Sequence, residues 1–208
     1  MRITVFGATG GTGRLLVRQA LDAGHHVTAV VRDPSQVGQF PGADTVVADV
    51  TDPVAIETVV LGQDAVVSAL GHRPGDDTPI CANGARSIIA AMQATGTRRL
   101  VVITASGHVV DAGDGPFTRA VVKPMLRRFL RAGFADFART DDLVSNSGLD
   151  WTIMRPPRLT DGKRRAYRTS LDVNVRGGIM IGRGDLADGI LGALADPATT
   201  GHTVSLGY

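Results

Sequence analysis

The chain has 208 residues, of which 43% are hydrophobic and 20% charged, which suits one α/β domain with a single core and excludes a disordered or fibrous chain. Its 22 Lys and Arg nearly balance 20 Asp and Glu, so the net charge of +2 gives no reason to expect nucleic-acid binding. The lone Cys81 excludes an intrachain disulfide, the scattered His25, His26, His72, His108 and His202 lack metal-ligand spacing, and no apolar run reaches the roughly 18 residues of a membrane span.

Short β-branched runs alternate with longer amphipathic stretches, as in a parallel sheet with crossover helices. The pattern predicts strands at residues 2–6, 26–31, 45–48, 65–69, 100–104, 151–154 and 203–206, and helices at 13–23, 54–60, 80–94, 137–146 and 186–195. The stretch 107–132 breaks the alternation. It opens with Gly, Asp and Pro and becomes an Arg-rich apolar segment at 117–131, where Pro124 disfavours helix at Lys123 and predicts two short helical pieces. Residues 164–175 read as extended, with Tyr167, Thr169 and Leu171 on one face. The first strand leads straight into a glycine loop with no signal-peptide pattern, so a cytoplasmic location is expected.

That loop is Gly7-Ala8-Thr9-Gly10-Gly11-Thr12-Gly13, between a buried strand and an amphipathic helix. Gly7 permits the tight turn, Gly10 lets the backbone approach a diphosphate, and Gly13 lets helix pack on strand. Unpaired amides at the helix start then face the phosphates, with Thr9, Gly11 and Thr12 in the same cradle. The expected architecture is a Rossmann-type, doubly wound α/β fold: a mainly parallel sheet with helices on both faces. Residues 1–208 are expected to form one dinucleotide-binding domain, with lid or substrate segments around 107–135 and 157–180.

The second strand runs into Arg32-Asp33-Pro34. An acidic residue here grips the ribose of NAD, whereas a guanidinium pairs with the 2′-phosphate of NADP. Arg32 therefore favours NADP(H), with Arg14 as a second positive group, and Asp33 keeps NAD(H) open. Asp49 and Val50, after the third strand, are candidates for adenine recognition, Asp49 being equally a loop-capping aspartate. Ala69, Leu70, Gly71 and Arg73, after the fourth strand, are further cofactor candidates, with solvent the alternative for Arg73.

The glycine loop, Val31-Arg32-Asp33, Ala69-Leu70-Gly71, Thr104-Ala105-Ser106, Ser147-Gly148-Leu149-Asp150-Trp151-Thr152 and Arg155-Pro156-Pro157-Arg158-Leu159 occur in that order. The series resembles the atypical short-chain dehydrogenase/reductases with NAD(P)H-binding, NmrA-like domains, and most nearly their flavin reductase and biliverdin-IXβ reductase group. The resemblance implies that Ser106 lies beside the nicotinamide as the catalytic residue, that Pro156 and Pro157 lie by the nicotinamide, and that Arg158 is near the substrate. One departure is Phe137, where the biliverdin group carries a histidine.

Ordinary short-chain reductases use a Tyr-x-x-x-Lys pair to move a proton to the carbonyl oxygen. Here Leu171 stands four residues after Tyr167, and Tyr208 is followed by no lysine. Hydride transfer to a flavin, quinone or similar conjugated acceptor needs less, because the acceptor delocalises the incoming charge. The expectation is a reductase of that kind; the alternative is a non-catalytic NADP(H) sensor acting through a protein partner, and a monomer and a homodimer are both open. Arg139 and Asp141 are expected at the surface. Lys123, Arg127, Arg128 and Arg131 offer an anionic substrate a positive approach or simply form a solvated face, and Cys81 is expected to be a small packed residue rather than a redox thiol.

Overall fold

In β1 (Arg2–Phe6) Ile3 and Val5 enter the hydrophobic cluster on one side of the sheet and Phe6 the cluster on the other. In β5 (Arg99–Ile103) Val101 and Ile103 likewise oppose Leu100 and Val102. With a side-chain period of two, strands that bury both faces must be covered on both faces. The computed structural model describes residues 1–72 and 78–208, and all their side chains except those of Leu126, Arg127 and Phe129.

The remaining strands are β2 (His26–Val31), β3 (Asp44–Val47), β4 (Ala65–Ser68), β6 (Asp150–Arg155), β7 (Arg158–Thr160), β8 (Arg168–Leu171), β9 (Met180–Gly182) and β10 (His202–Gly207). Eight of the ten described strands form one sheet in the order β3-β2-β1-β4-β5-β6-β10-β8, parallel throughout except for β8 against β10, while β7 and β9 pair in parallel as a separate ribbon. The chain builds outward in both directions from the β1–β4 boundary, the topological switch point of a doubly wound sheet. Helices α1 (Gly11–Asp22) and α6 (Arg183–Ala195) cover one face, through Leu16, Val17, Leu186 and Ile190. Helices α2 (Pro53–Val60), α3 (Ile80–Thr95) and α5 (Arg131–Ser145) cover the other, through Ile56, Ile88, Met92 and Val144.

Helix starts follow local chemistry. Asp52 accepts from Val54 N at 3.0 Å and Ala55 N at 3.2 Å and caps α2, with Pro53 in the first turn where its missing amide costs nothing. The cap of α3 comes from another helix: Asp136 of α5 accepts from Cys81 N at 3.0 Å and Ala82 N at 2.9 Å.

Around Pro124 a π-helical stretch (Thr118–Val122) runs without a break into α4 (Lys123–Phe129), and Lys123 itself is right-handed helical, so the expected two pieces are one continuous run; the widened turn lies just before Pro124, whose ring would otherwise press on the carbonyl four residues back. Helix α5 begins at Arg131, six residues before the sequence pattern suggested; Gly133 weakens that pattern. Gly133 is also where His72 approaches, its ring 3.6 Å from the position of an added Cβ.

Lys123 corrects an expectation. It belongs to neither a solvated face nor a substrate approach: only 4% exposed, its Nζ donates to Asp114 Oδ2 at 2.6 Å and to the carbonyl of Val109. Asn174 joins this cluster by donating its backbone N–H to Asp111 Oδ2 at 3.0 Å and its Nδ2 to Asp114 at 3.3 Å. The buried pair thereby ties the 109–114 loop and α4 to the segment after β8, joining the two expected lid stretches. Lys123→Ala leaves the Asp114 carboxylate buried and uncompensated, and is expected to cost about 3–5 kcal/mol in urea unfolding.

Candidate functional site at the carboxyl edge of the sheet

The glycine turn lies at the carboxyl end of β1, at the switch point. Gly7 has φ +74°, in the left-handed region, and an added Cβ would lie 2.5 Å from the Ala69 carbonyl oxygen. A Cβ on Gly13 would lie 2.1 Å from the Gly7 oxygen, so α1 touches the turn backbone to backbone. The N-cap of α1 is Gly10, without a capping side chain, and the first turn holds no acidic residue. The leading amides of α1 therefore have no intrahelical acceptor and no side-chain cap, and with the helix dipole they form an anion seat. This seat fits a dinucleotide diphosphate through its uncapped amides, while a side chain at Gly7 or Gly13 would push the turn away from β4 and α1.

Ala69 and Leu70 form the β4 side of the turn. Leu70 and Val50 make an apolar wall over Gly84 of α3, where an added Cβ would lie 2.4 Å from Leu70 Cδ1 and 3.5 Å from Val50 Cγ2. Gly71 has open space where a side chain would be. Arg73 falls outside the described residues.

At the end of β2, Arg32 is exposed. Asp33 instead accepts from Ser35 N at 2.9 Å and caps a short 3₁₀ turn; that backbone hydrogen bond holds its carboxyl below the usual carboxylate range, with a smaller contribution from Arg32. Asp49 is engaged in the same way, accepting from Thr51 N at 2.9 Å and Thr51 Oγ1 at 2.8 Å, which lowers its pKa. Arg14 turns back along the surface, donating to the Thr9 carbonyl at 2.9 Å and to Gln39 Oε1 at 3.0 Å.

The ends of β5 and β6 meet where Ser106 N–H donates to the Pro156 carbonyl at 2.9 Å, bringing two of the three expected nicotinamide neighbours together. Pro157 is half-buried near Gly207, and Arg158 is exposed on β7. Beside Ser106 lies a cluster that sequence reading missed. His108 Nε2 lies 2.8 Å from Asp141 Oδ2, and Arg155 donates to the same oxygen at 2.8 Å. Phe137 stands between two imidazoles, with its ring centre 5.4 Å from His72 and 6.1 Å from His108. Asp141 is thus corrected from surface to buried, whereas Arg139 is exposed as expected. In α5, positions 136, 137, 140, 141 and 144 share one helical face, and that face points inward. Thr104 Oγ1, Asp141 Oδ1 and Arg155 Nε, all buried, have no hydrogen-bond partner among the described residues, so this corner has polar capacity to spare.

Donor atoms of His72, Cys81 and Asp136 lie within 4.8 Å of one another. The Asp136 carboxylate, however, is already engaged by two α3 amides and by His72 Nε2 at 2.8 Å, beside the positive end of a helix. Its geometry is that of a helix cap. Burial first, then the Asp136 carboxylate, push the Cys81 thiol far above its ordinary pKa. Cys81, the single cysteine of the chain, is therefore expected to resist a chromogenic disulfide reagent at pH 8 and to react with one equivalent in denaturing urea.

Another residue missed in the sequence is Arg183, the first residue of α6, whose side chain lies across Gly11; an added Cβ there would be 2.8 Å from Arg183 Cδ. Among the described residues, no helix is long and apolar enough to cross a membrane.

A family model described as NAD(P)H-binding matches residues 7–197. YwnB of Bacillus subtilis is 31% identical over 204 residues, covering 95% of this chain and 93% of that protein. The structure of a candidate NADH-flavin reductase from Streptococcus pneumoniae superposes with a TM-score of 0.83 at 24% identity, covering 100% of this chain and 99% of that one. The oxidoreductase YlbE of Lactococcus lactis gives 0.82 at 20% identity, covering 100% and 90%. With the cradle at the carboxyl end of β1 and a match over nearly its whole length, the chain belongs to the NAD(P)H-binding family of Rossmann-fold proteins.

Proposed function

We propose that the protein is an NAD(P)H-dependent reductase that prefers NADPH and passes hydride to a flavin, quinone or related conjugated small molecule. The observation that carries this reading is the uncapped first turn of α1 in line with the Ser106–Pro156 junction, one anion seat and one polar corner along the same carboxyl edge. The structure of a candidate NADH-flavin reductase shares the fold, which supports the reading. Bound cofactor supplies the hydride. Gly7, Thr9, Gly10, Gly11, Thr12 and Gly13 hold its diphosphate through backbone and threonine hydroxyl groups. Val50, Ala69, Leu70 and Gly71 line the path along β4, with Asp49 at the adenine end through the oxygen not used by Thr51. Ser106, Pro156 and Pro157 position the nicotinamide, and Arg158 lies on the substrate side.

The cofactor preference follows from the end of β2. Asp33 is committed to its cap, which leaves Arg32 as the exposed group able to pair with a 2′-phosphate. Without a Tyr-x-x-x-Lys pair, an acceptor that delocalises charge suits the chain better than an isolated ketone.

Steady-state NADPH oxidation with added flavin or quinone tests the reaction. Turnover above the uncatalysed rate is expected, whereas tight NADPH binding with no turnover would favour a sensor. Arg32→Ala is expected to weaken NADPH by about tenfold or more, on the scale of a lost charged hydrogen bond, with little change for NADH. Equal losses for both nucleotides in titration calorimetry would remove Arg32 as the 2′-phosphate ligand.

A further inference from the structure

The contact between Arg183 and Gly11 joins two helix N-termini. A Cβ built on Gly11 would lie 2.8 Å from Cδ and 2.9 Å from Nε of Arg183, so the side chain crosses the first residue of α1 at van der Waals range. The two helices are also tied by Gln19 Nε2, which donates to the Gly184 carbonyl at 2.9 Å. The side chain therefore lies against the first residue of α1, and the start of α6 that carries it is held to α1 by that bond.

Electrostatics make this placement costly unless an anion is shared. A cation in the first turn of a helix opposes the helix dipole, and both α1 and α6 carry one, Arg14 and Arg183. Arg14 is occupied with Thr9 and Gln39. Arg183 Nη1 donates to Asp161 Oδ1 at 2.7 Å, but Asp161 is 84% exposed, so the pair is solvated and weak. The acid in the same turn, Asp185, is instead engaged by the Tyr208 hydroxyl at 2.5 Å and by Arg165 N at 3.1 Å. A guanidinium has five N–H donors, and Asp161 takes one of its terminal nitrogens.

We propose that Arg183 is a side-chain ligand for the diphosphate of the bound nicotinamide cofactor, completing from α6 the seat that α1 builds from backbone amides. The proposal rests on the NAD(P)H-binding assignment and deepens it. Arg183 directly follows β9, and Asp161 directly follows β7, so the cation stands at the end of the β7–β9 ribbon, just past the expected substrate segment. Engagement of Arg183 by the diphosphate competes with Asp161 and so connects cofactor binding to that ribbon.

Titration calorimetry at physiological salt on the full chain, with three probes, tests it. NADPH and ADP-ribose both carry the diphosphate, while 2′-AMP carries only the adenosine and 2′-phosphate end. Arg183→Ala is expected to weaken NADPH and ADP-ribose by about tenfold, or ~1.4 kcal/mol, and to leave 2′-AMP within twofold. Arg183→Lys, which keeps the charge but loses the fork, is expected to restore part of the loss. Thermal melts of both variants check that the fold is retained. NADPH and ADP-ribose affinities within twofold of the parent would overturn the proposal, as would an equal loss for all three probes, which marks a disturbed fold rather than a lost phosphate contact. Failure of the parent chain itself to bind NADPH would instead bring down the assignment beneath it.

Discussion

Backbone-to-backbone contact among Gly7, Gly13 and Ala69 is the constraint on which the cofactor seat depends. Side-chain atoms at Gly7 or Gly13 would sit 2.5 Å and 2.1 Å from carbonyl oxygens, distances at which something must move. Removing them lets β1, β4 and α1 converge at one point, and this convergence holds the start of α1 at the sheet's edge. The helix then has only glycine for a cap, so its leading amides stay available to a ligand. Packing and binding are thus one feature: the absence of Cβ atoms that brings the elements together also leaves the donors uncovered.

A second theme is where the carboxylates are used. Asp33, Asp49 and Asp52 each engage backbone amides two or three residues ahead, and Asp136 does the same for a different helix. Asp114 neutralises buried Lys123, and Asp141 gathers His108 and Arg155. Asp33 and Asp49 stay ionised beside Arg32, so what the exposed Arg32 and the partly exposed Arg183 would offer a polyanionic cofactor is directed N–H donors rather than an excess of positive charge.

The sheet was legible because its strands are continuous β-branched runs buried on both faces; 2–6 and 26–31 coincide with β1 and β2, and most other boundaries shift by a residue or two. The glycine turn was legible because its chemistry is local in sequence. The ribbon β7–β9 was not, since strands of three residues carry no periodicity and pair across more than twenty positions. The inward face of α5 was missed because it presents Asp136, Thr140 and Asp141, polar groups that hydrophobic patterning assigns to solvent. Only the structure shows that each has a partner: α3 amides, the Asp136 carbonyl, and the His108–Arg155 pair. Arg183 was invisible for a related reason, its meaning coming from Gly11, more than 170 positions earlier.

The corner built by His108, Asp141 and Arg155 differs in its chemistry from the site of Tyr-Lys reductases. In those enzymes a phenol and an ammonium move a proton at the acceptor oxygen. Here Tyr167 lies elsewhere, its hydroxyl donating to Asp188 at 2.9 Å, and burial, aided by Asp188, pushes its pKa up to about 12. A phenol so held keeps its proton near neutral pH and is poorly suited to that role. The polar groups at the ends of β5 and β6 are instead an imidazole, a carboxylate and a guanidinium fixed to one another, beside a Ser106 whose backbone is tied to Pro156. These groups hold one another through hydrogen bonds made within the protein. On the reading proposed above, groups held in this way suit hydride transfer to a conjugated acceptor, whose main demand is that two rings be held in register.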